Sequence, residues 1–191
     1  MVSDLLTSIQ GKEIDKGTEL YEQIHRAKGE NERLVMELNQ SYKEQADVHK
    51  ALEKITRKKI PSTAHISLPF YTDFGCHIIF GERVFINQNV MFVDLGGITL
   101  EDDVLIGPMS RLITVNHIQD VHRRRGLSVK PILVKRNAWI GANVTVLPGV
   151  TIGENSIVAA DSTVTKDVED NVVVSGTPAR KVKRLINDET S

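Results

Sequence analysis

One histidine stands out as a reactive group in this chain. His117 opens a polar stretch, Asn116 to Lys130, that also carries Arg123-Arg124-Arg125-Gly126. An unperturbed imidazole titrates near pH 6.5, so its neutral form can take a proton from a hydroxyl and return one to a leaving group. His122 follows five positions later, a spacing that suits a pair of metal ligands. A third ligand is missing, because position 81 is glycine and His77 falls off that register. His122 also abuts three arginines, a poor setting for a metal cation. The single cysteine, Cys76, lies in a strand-like segment and reads as a small packed residue rather than a nucleophile. Neither a Gly-x-x-x-x-Gly-Lys loop nor a Gly-x-Gly-x-x-Gly turn is present, which excludes nucleoside triphosphate and dinucleotide chemistry.

The elements that must hold such groups are written in a six-residue period. Val134, Ile140, Val146, Ile152, Val158 and Val164 recur without a break, separated by small and turn-forming residues such as Gly141-Ala142-Asn143 and Gly153-Glu154-Asn155. A helix needs apolar residues every three or four positions and a strand every two. A period of six fits short strands joined by tight turns, each coil stacked on the one below. Leu100, Ile106 and Leu112 keep the phase, and Phe80, Ile86 and Phe92 form an earlier run. The step of eight from Phe92 to Leu100 implies two extra residues near Leu95-Gly96-Gly97. The step of twenty-two from Leu112 to Val134 implies a loop expelled from the coil over residues 116–130, with His117 at its exit.

The chain has 191 residues and a formal net charge of −1, enough for one domain with an appendage and without the charge that would announce a nucleic-acid partner. No apolar run is long enough for a membrane span. No basic cluster followed by an apolar core opens the sequence, and one cysteine rules out an internal disulfide framework; the expectation is a cytoplasmic protein. Residues 1–59 lack proline and are rich in Glu, Lys, Gln and Leu. Leu20, Ile24, Leu34, Val35 and Leu38, then Val48, Leu52 and Ile55, recur at helical spacing. Two or three amphipathic helices are expected, with Gly29 separating the first from the second and Ser41 as N-cap of the last. The coil is expected over 60–185, and 186–191 form a tail.

The hexads from Ala138 to Asn155, the run Val164-Thr165-Lys166-Asp167-Val168 and the closing Gly176-Thr177-Pro178-Ala179-Arg180 resemble the hexapeptide-repeat acyltransferases. Tyr71 to Gly75, Phe85 to Asn89 and His117 resemble the maltose, galactoside and nodulation O-acetyltransferase branch. The resemblance implies a mainly β fold: a left-handed parallel β-helix with an N-terminal helical segment and an expelled loop. It also implies a homotrimer with sites between subunits, acetyl-CoA as donor, a sugar acceptor, and no required metal. His117 matches the family's catalytic base, although the family often has His-Pro where this chain has His117-Ile118. Asp73, Asn87 and Asp94 match acceptor-contacting positions, and Glu19 falls near an acceptor-binding acid. The CoA side is implied by Trp139, Gly141, Ala142 and Ala160, with Thr165, Lys166, Arg180 and Lys183 facing its phosphates. The Gly141-Ala142 turn would offer a backbone N–H to the oxyanion, and alanine at 142, where relatives often have serine, keeps that donor. Two other readings are a zinc enzyme of the γ-carbonic-anhydrase kind and a non-catalytic β-helix that serves assembly.

Overall fold

A computed structural model describes residues 2–185; the tail expected at 186–191 lies outside the described residues. Three parallel sheets make the faces of a prism. The first face stacks His65–Ile66, Phe85–Ile86, Leu105–Ile106, Trp139–Ile140, Ile157–Val158 and Val172–Ser175. The second stacks Phe70–Thr72, Val90–Val93, Arg111–Ile113, Thr145–Val146 and Thr163–Val164. The third stacks Ile78–Phe80, Ile98–Leu100, Ile132–Val134 and Thr151–Ile152. The chain visits the faces in that order, so each coil is three short strands and three corners. This is the parallel β-helix of stacked coils that the six-residue period predicts.

The six-residue period has a direct cause. Each strand turns an apolar residue of the column inward, and parallel register sets it on its equivalent one coil away: Ile86 on Ile106, Ile106 on Ile140, Ile140 on Val158. Val134, Ile140, Val146, Ile152 and Val158 are all 0 % exposed. Corners turn through left-handed residues, and asparagine and aspartate tolerate that conformation better than most. Asn89, Met109, Asn143 and Asp161 hold positive φ at the corner after the first face. Arg83, Asp103, Asn137, Asn155 and Asn171 do so at the corner after the third. The Asn137 amide donates to Asn155 Oδ1 at 2.9 Å, and the Asn155 amide to Asn171 Oδ1 at 2.9 Å, which ties successive corners together.

All departures from the period fall at the corner after the second face, called here the second corner. The step of eight between Phe92 and Leu100 is repeated one coil earlier between Thr72 and Phe80, where the polar Thr72 hides it in the sequence. One coil later the same corner throws out a hairpin, Val115–His117 pairing antiparallel with Leu127–Val129. The outer strand of that hairpin also pairs with Glu13–Ile14 from the N-terminus. The expelled loop is thus part of a three-stranded sheet, which its polar composition did not announce.

The N-terminal segment forms α1 (Val2–Ile9), α2 (Glu19–Asn39) and α3 (Gln45–Thr56). Two expectations are corrected. Gly29 does not divide a helix: α2 runs through it, because Ile24 before it and Val35 and Leu38 after it are all buried and hold both halves on one axis. Ser41 caps nothing; α3 starts after Glu44, which makes no side-chain cap, while Thr18 caps α2 by accepting from Tyr21 N at 3.3 Å. Leu38, Val48, Leu52 and Ile55 plug the open first coil. The amides of Asn39 and Gln45 each donate to and accept from the unpaired strand edge, at Phe70 and Ile66. At the far end Arg180–Arg184 folds back antiparallel on Val172–Ser175 and covers that edge. No described helix is long and apolar enough to cross a membrane.

Two stability changes are expected. Ile152→Asp sets an unpaired carboxylate into the inner column and should abolish the cooperative thermal transition; a soluble variant with a native melting curve would refute the register. A side chain at Gly29 meets open space, so Gly29→Ala should stabilise by about 0.5–1 kcal/mol in denaturant unfolding through helix propensity alone.

Candidate active site

The second corner is built from buried polar groups. Asp94 Oδ1 accepts from the Thr72 hydroxyl at 2.7 Å and from Phe74 N at 2.8 Å, while Oδ2 accepts from His77 N at 3.3 Å. One coil on, the Thr114 hydroxyl donates to Val93 O and accepts from Gly96 N at 2.8 Å. His77 donates from Nδ1 to Leu95 O at 2.7 Å. These bonds close wide corners over one another and make the floor from which the hairpin rises. Burial pushes the Asp94 carboxyl up, against the pull of the backbone and hydroxyl donors around it.

His117 ends the first strand of the hairpin with its ring exposed. Its Nδ1 lies 3.2 Å from Gly126 O. A carbonyl only accepts, so Nδ1 carries the hydrogen and Nε2 keeps the lone pair in the neutral ring. Ile118 N donates to the same oxygen at 3.2 Å, a bond that a proline at 118 could not make. Ile118 itself is buried, which anchors the strand next to the imidazole.

The ring stands between two hollows that share Asn116 and His117. One, of about 290 Å³, lies toward α2 and is bordered by Tyr21, His25, Lys28, Asp73 and Phe74. The other, of about 480 Å³, lies toward the later coils and is bordered by Glu13, Gln119, Lys130 and Pro148. Lys28 Nζ is 2.6 Å from Asp73 Oδ1, and Tyr21 and His25 stack with ring centroids 4.1 Å apart.

The remaining expected residues fall on two edges of the prism. Along the second corner run Asp73, His117 and, two coils beyond the hairpin, Thr165 and Lys166, both exposed. Along the first corner run Asn87, Gly141, Ala142 and Ala160, with Thr177 above them. Asp161 N donates to Ala142 O at 3.0 Å, which stacks Ala160 over Ala142. A side chain at Gly141 would lie 2.7 Å from Ala160 N, so only glycine allows the coils this approach. Among the described residues no acceptor meets the Ala142 N–H. Trp139 is 49 % exposed on the first face, between Leu105 and Ile157. Arg180 and Lys183 lie exposed on the returning strand.

Two residues expected at the acceptor lie apart from both hollows in this chain. Asp94 is 0 % exposed and fully engaged by the corner, so it shapes the floor and has no surface to offer a ligand. Glu19 lies exposed in the first turn of α2, accepts from Gln23 Nε2 at 3.2 Å, and borders neither hollow. The α2 residues that do face His117 are Tyr21, His25 and Lys28. Their spacing of four and three puts them on one helical face, a signal available once the helix is taken as unbroken.

The bacterial transferase hexapeptide family (six repeats) matches residues 131–166. The chain is 39 % identical over 158 residues to a galactoside O-acetyltransferase from Lactococcus lactis, covering 81 % of this chain and 76 % of the relative. It belongs to the hexapeptide-repeat acyltransferases, in their maltose and galactoside O-acetyltransferase branch. Among solved structures, the hexapeptide-repeat acetyltransferase of Vibrio cholerae, complexed with acetyl coenzyme A, superposes with a TM-score of 0.84 at 34 % identity, covering 96 % of this chain and 99 % of that one. A putative acetyltransferase of Schizosaccharomyces pombe is 39 % identical over 129 residues, 66 % of this chain, and the match spans 62 % of that relative's length.

Within this hexapeptide-repeat framework two local outcomes are expected. Asp94→Ala leaves Phe74 N and His77 N without their acceptor and should cost about 1–3 kcal/mol in denaturant unfolding, more than Asp94→Asn, which keeps Oδ1. Burial pushes the Cys76 thiol up to about 11. It should therefore resist thiol reagents at pH 8 in the native protein and react promptly in denaturant; fast native labelling would contradict its packing.

Proposed function

We propose that this acyltransferase moves an acetyl group from acetyl-CoA to a hydroxyl of a mono- or disaccharide, directly, at sites between the subunits of a homotrimer. The observation that carries the reading is His117, its Nδ1 occupied by the Gly126 carbonyl and its ring open to a hollow on each side. A base that serves an acceptor on one side and a donor on the other needs that arrangement. Similarity to the Vibrio cholerae protein, which binds acetyl coenzyme A, supports the donor, and similarity to a galactoside O-acetyltransferase supports the acceptor.

In this mechanism the acceptor enters the hollow beside α2, where Asp73 and Lys28 bond its hydroxyls. Nε2 of His117 takes the proton of the reacting hydroxyl as its oxygen attacks the thioester carbonyl carbon. The tetrahedral oxyanion takes a hydrogen bond from the Ala142 N–H. Collapse breaks the carbon–sulfur bond, and the imidazolium returns its proton to the departing thiolate. The pantetheine arm runs past Trp139, Gly141, Ala142 and Ala160, where larger side chains would block it. Thr165, Lys166, Arg180 and Lys183 bind the phosphates.

Division of these residues between two edges supports the trimer. Ala142 and Asn87 lie on the first corner and His117 on the second, on opposite sides of the second face. Cyclic closure brings the first corner of one copy to the second corner of the next and completes each site from two chains. Exposed apolar side chains on the faces beside these corners, Tyr71 and Met91 on the second and Leu105 and Trp139 on the first, suit such a contact. Among the described residues of one chain no three His, Cys, Asp or Glu side chains are grouped to hold a metal ion.

Release of free CoA thiol from acetyl-CoA, measured against mono- and disaccharides, tests the reading. His117→Ala should lower acceptor-dependent turnover by about 10²–10⁴-fold with acetyl-CoA affinity and trimer intact. A near-normal rate in that variant would remove His117 from the chemistry.

A further inference from the structure

We propose that Arg123 is a positioning residue for His117, a clamp through which the N-terminal strand fixes the tautomer and aim of the base; its catalytic consequence rests on the role given to His117 above. Arg123 Nε and Nη2 donate to Asp15 Oδ1 at 2.8 Å and Oδ2 at 3.1 Å. Its Nη1 lies 2.8 Å from Glu13 Oε2. Three donors of one planar group are thus spent on two carboxylates, one in the strand Glu13–Ile14 and one directly after it, a geometry that fixes the guanidinium in place as well as in charge. The pairing holds the Asp15 carboxyl below its usual range. Arg124 and Arg125 have no ion pair among the described residues, so the run of three arginines acts through its first member.

From Arg123 the backbone leads straight to the imidazole. Arg123 N donates to Asp120 O at 3.1 Å, and Arg123 O accepts from Gly126 N at 2.8 Å. Gly126 O then receives Nδ1–H of His117 and the N–H of Ile118, each at 3.2 Å. There is no slack at this link: a side chain at Gly126 would lie 2.6 Å from Ile118 Cδ1 and 2.7 Å from Ile14 O. The strand Glu13–Ile14, which leads into Asp15, also pairs with Leu127 and Ser128, directly after the glycine. Turn, strand and carboxylates therefore set the position of one carbonyl oxygen, and that oxygen decides which ring nitrogen of His117 carries the hydrogen. Exposed ion pairs contribute little to global stability, so the value of this clamp lies in aim.

The test uses the full-length protein with ¹⁵N-labelled histidine. Imidazole ¹⁵N spectra, with the His117 signals assigned through His117→Gln, report the ring tautomer without reference to activity. Arg123→Ala should convert a pure Nδ1–H pattern into a mixture and lower turnover by about tenfold to hundredfold, as expected for a slightly misplaced base. The pair Glu13→Gln with Asp15→Asn should do the same from the other side of the clamp, and Arg123→Lys should recover part of the loss. Circular dichroism identifies a variant that fails to fold, in which case the carboxylate pair carries the test. An unchanged tautomer in folded variants overturns the clamp, whatever happens to turnover. A shifted tautomer in a protein that acetylates no acceptor supports the clamp and overturns the function assigned to His117.

Discussion

Each coil of this protein hangs on its neighbours by backbone hydrogen bonds, and those bonds exist only while equivalent residues stay in register from coil to coil. Gly107 N reaches Ile140 O, Gly141 N reaches Val158 O, and Ala159 N reaches Val174 O, all along one edge. A single residue inserted into a strand would turn its inward aliphatic to solvent. Extra length must therefore be confined to corners, and it must stack on corners that are already wide. The second corner meets that demand in three consecutive coils, two with a two-residue extension and the third with a hairpin.

That corner is also where the interior becomes polar. Asp94, Thr72, Thr114 and His77 lie within the wall, and their hydrogen bonds replace the tight turn that the other two corners use. Burial disfavours the Asp94 carboxylate, and its donors offset part of that cost. The hairpin that carries His117 thus rises from a base fixed by directional bonds rather than by apolar packing alone. Around it, Ile9, Ile14, Ile24, Leu127 and Val129 form a second, smaller core that joins the N-terminal segment to the hairpin. The N-terminal segment therefore has two jobs. The end of α2 and all of α3 plug the coil, while Glu13 borders one of the two hollows beside the histidine and the start of α2 walls the other.

A prism with functional groups on two of its edges has a further consequence. One edge holds the imidazole, and the other holds small residues and the Ala142 N–H, which meets no acceptor among the described residues. The second face lies between them, so one chain does not bring them together. Symmetric association is the economical route, because the same contact repeated around an axis completes every site at once. In the proposed homotrimer the chemistry is a property of the assembly, and the exposed apolar side chains on the faces beside these edges suit the same contact.

The sequence alone determined the coil. A strict six-residue column with glycine, asparagine and aspartate between its members leaves few other structures open, because burial and corner geometry are both local demands. It also marked the excursion with His117, since an interruption of a strict period is visible without any structure. The tertiary structure decided what long-range pairing controls. Gly29 lies inside a helix because burial on both sides outweighs a propensity cost of about 1 kcal/mol. Asp94 sits where the notional acceptor contacts were placed, yet three donors from the preceding coil and its corner draw it into the wall. Arg123 reads as one of three equivalent charges until the strand at Glu13–Ile14 arrives beside it from more than a hundred residues away. No local pattern encodes that meeting, because it depends on where the N-terminal segment docks.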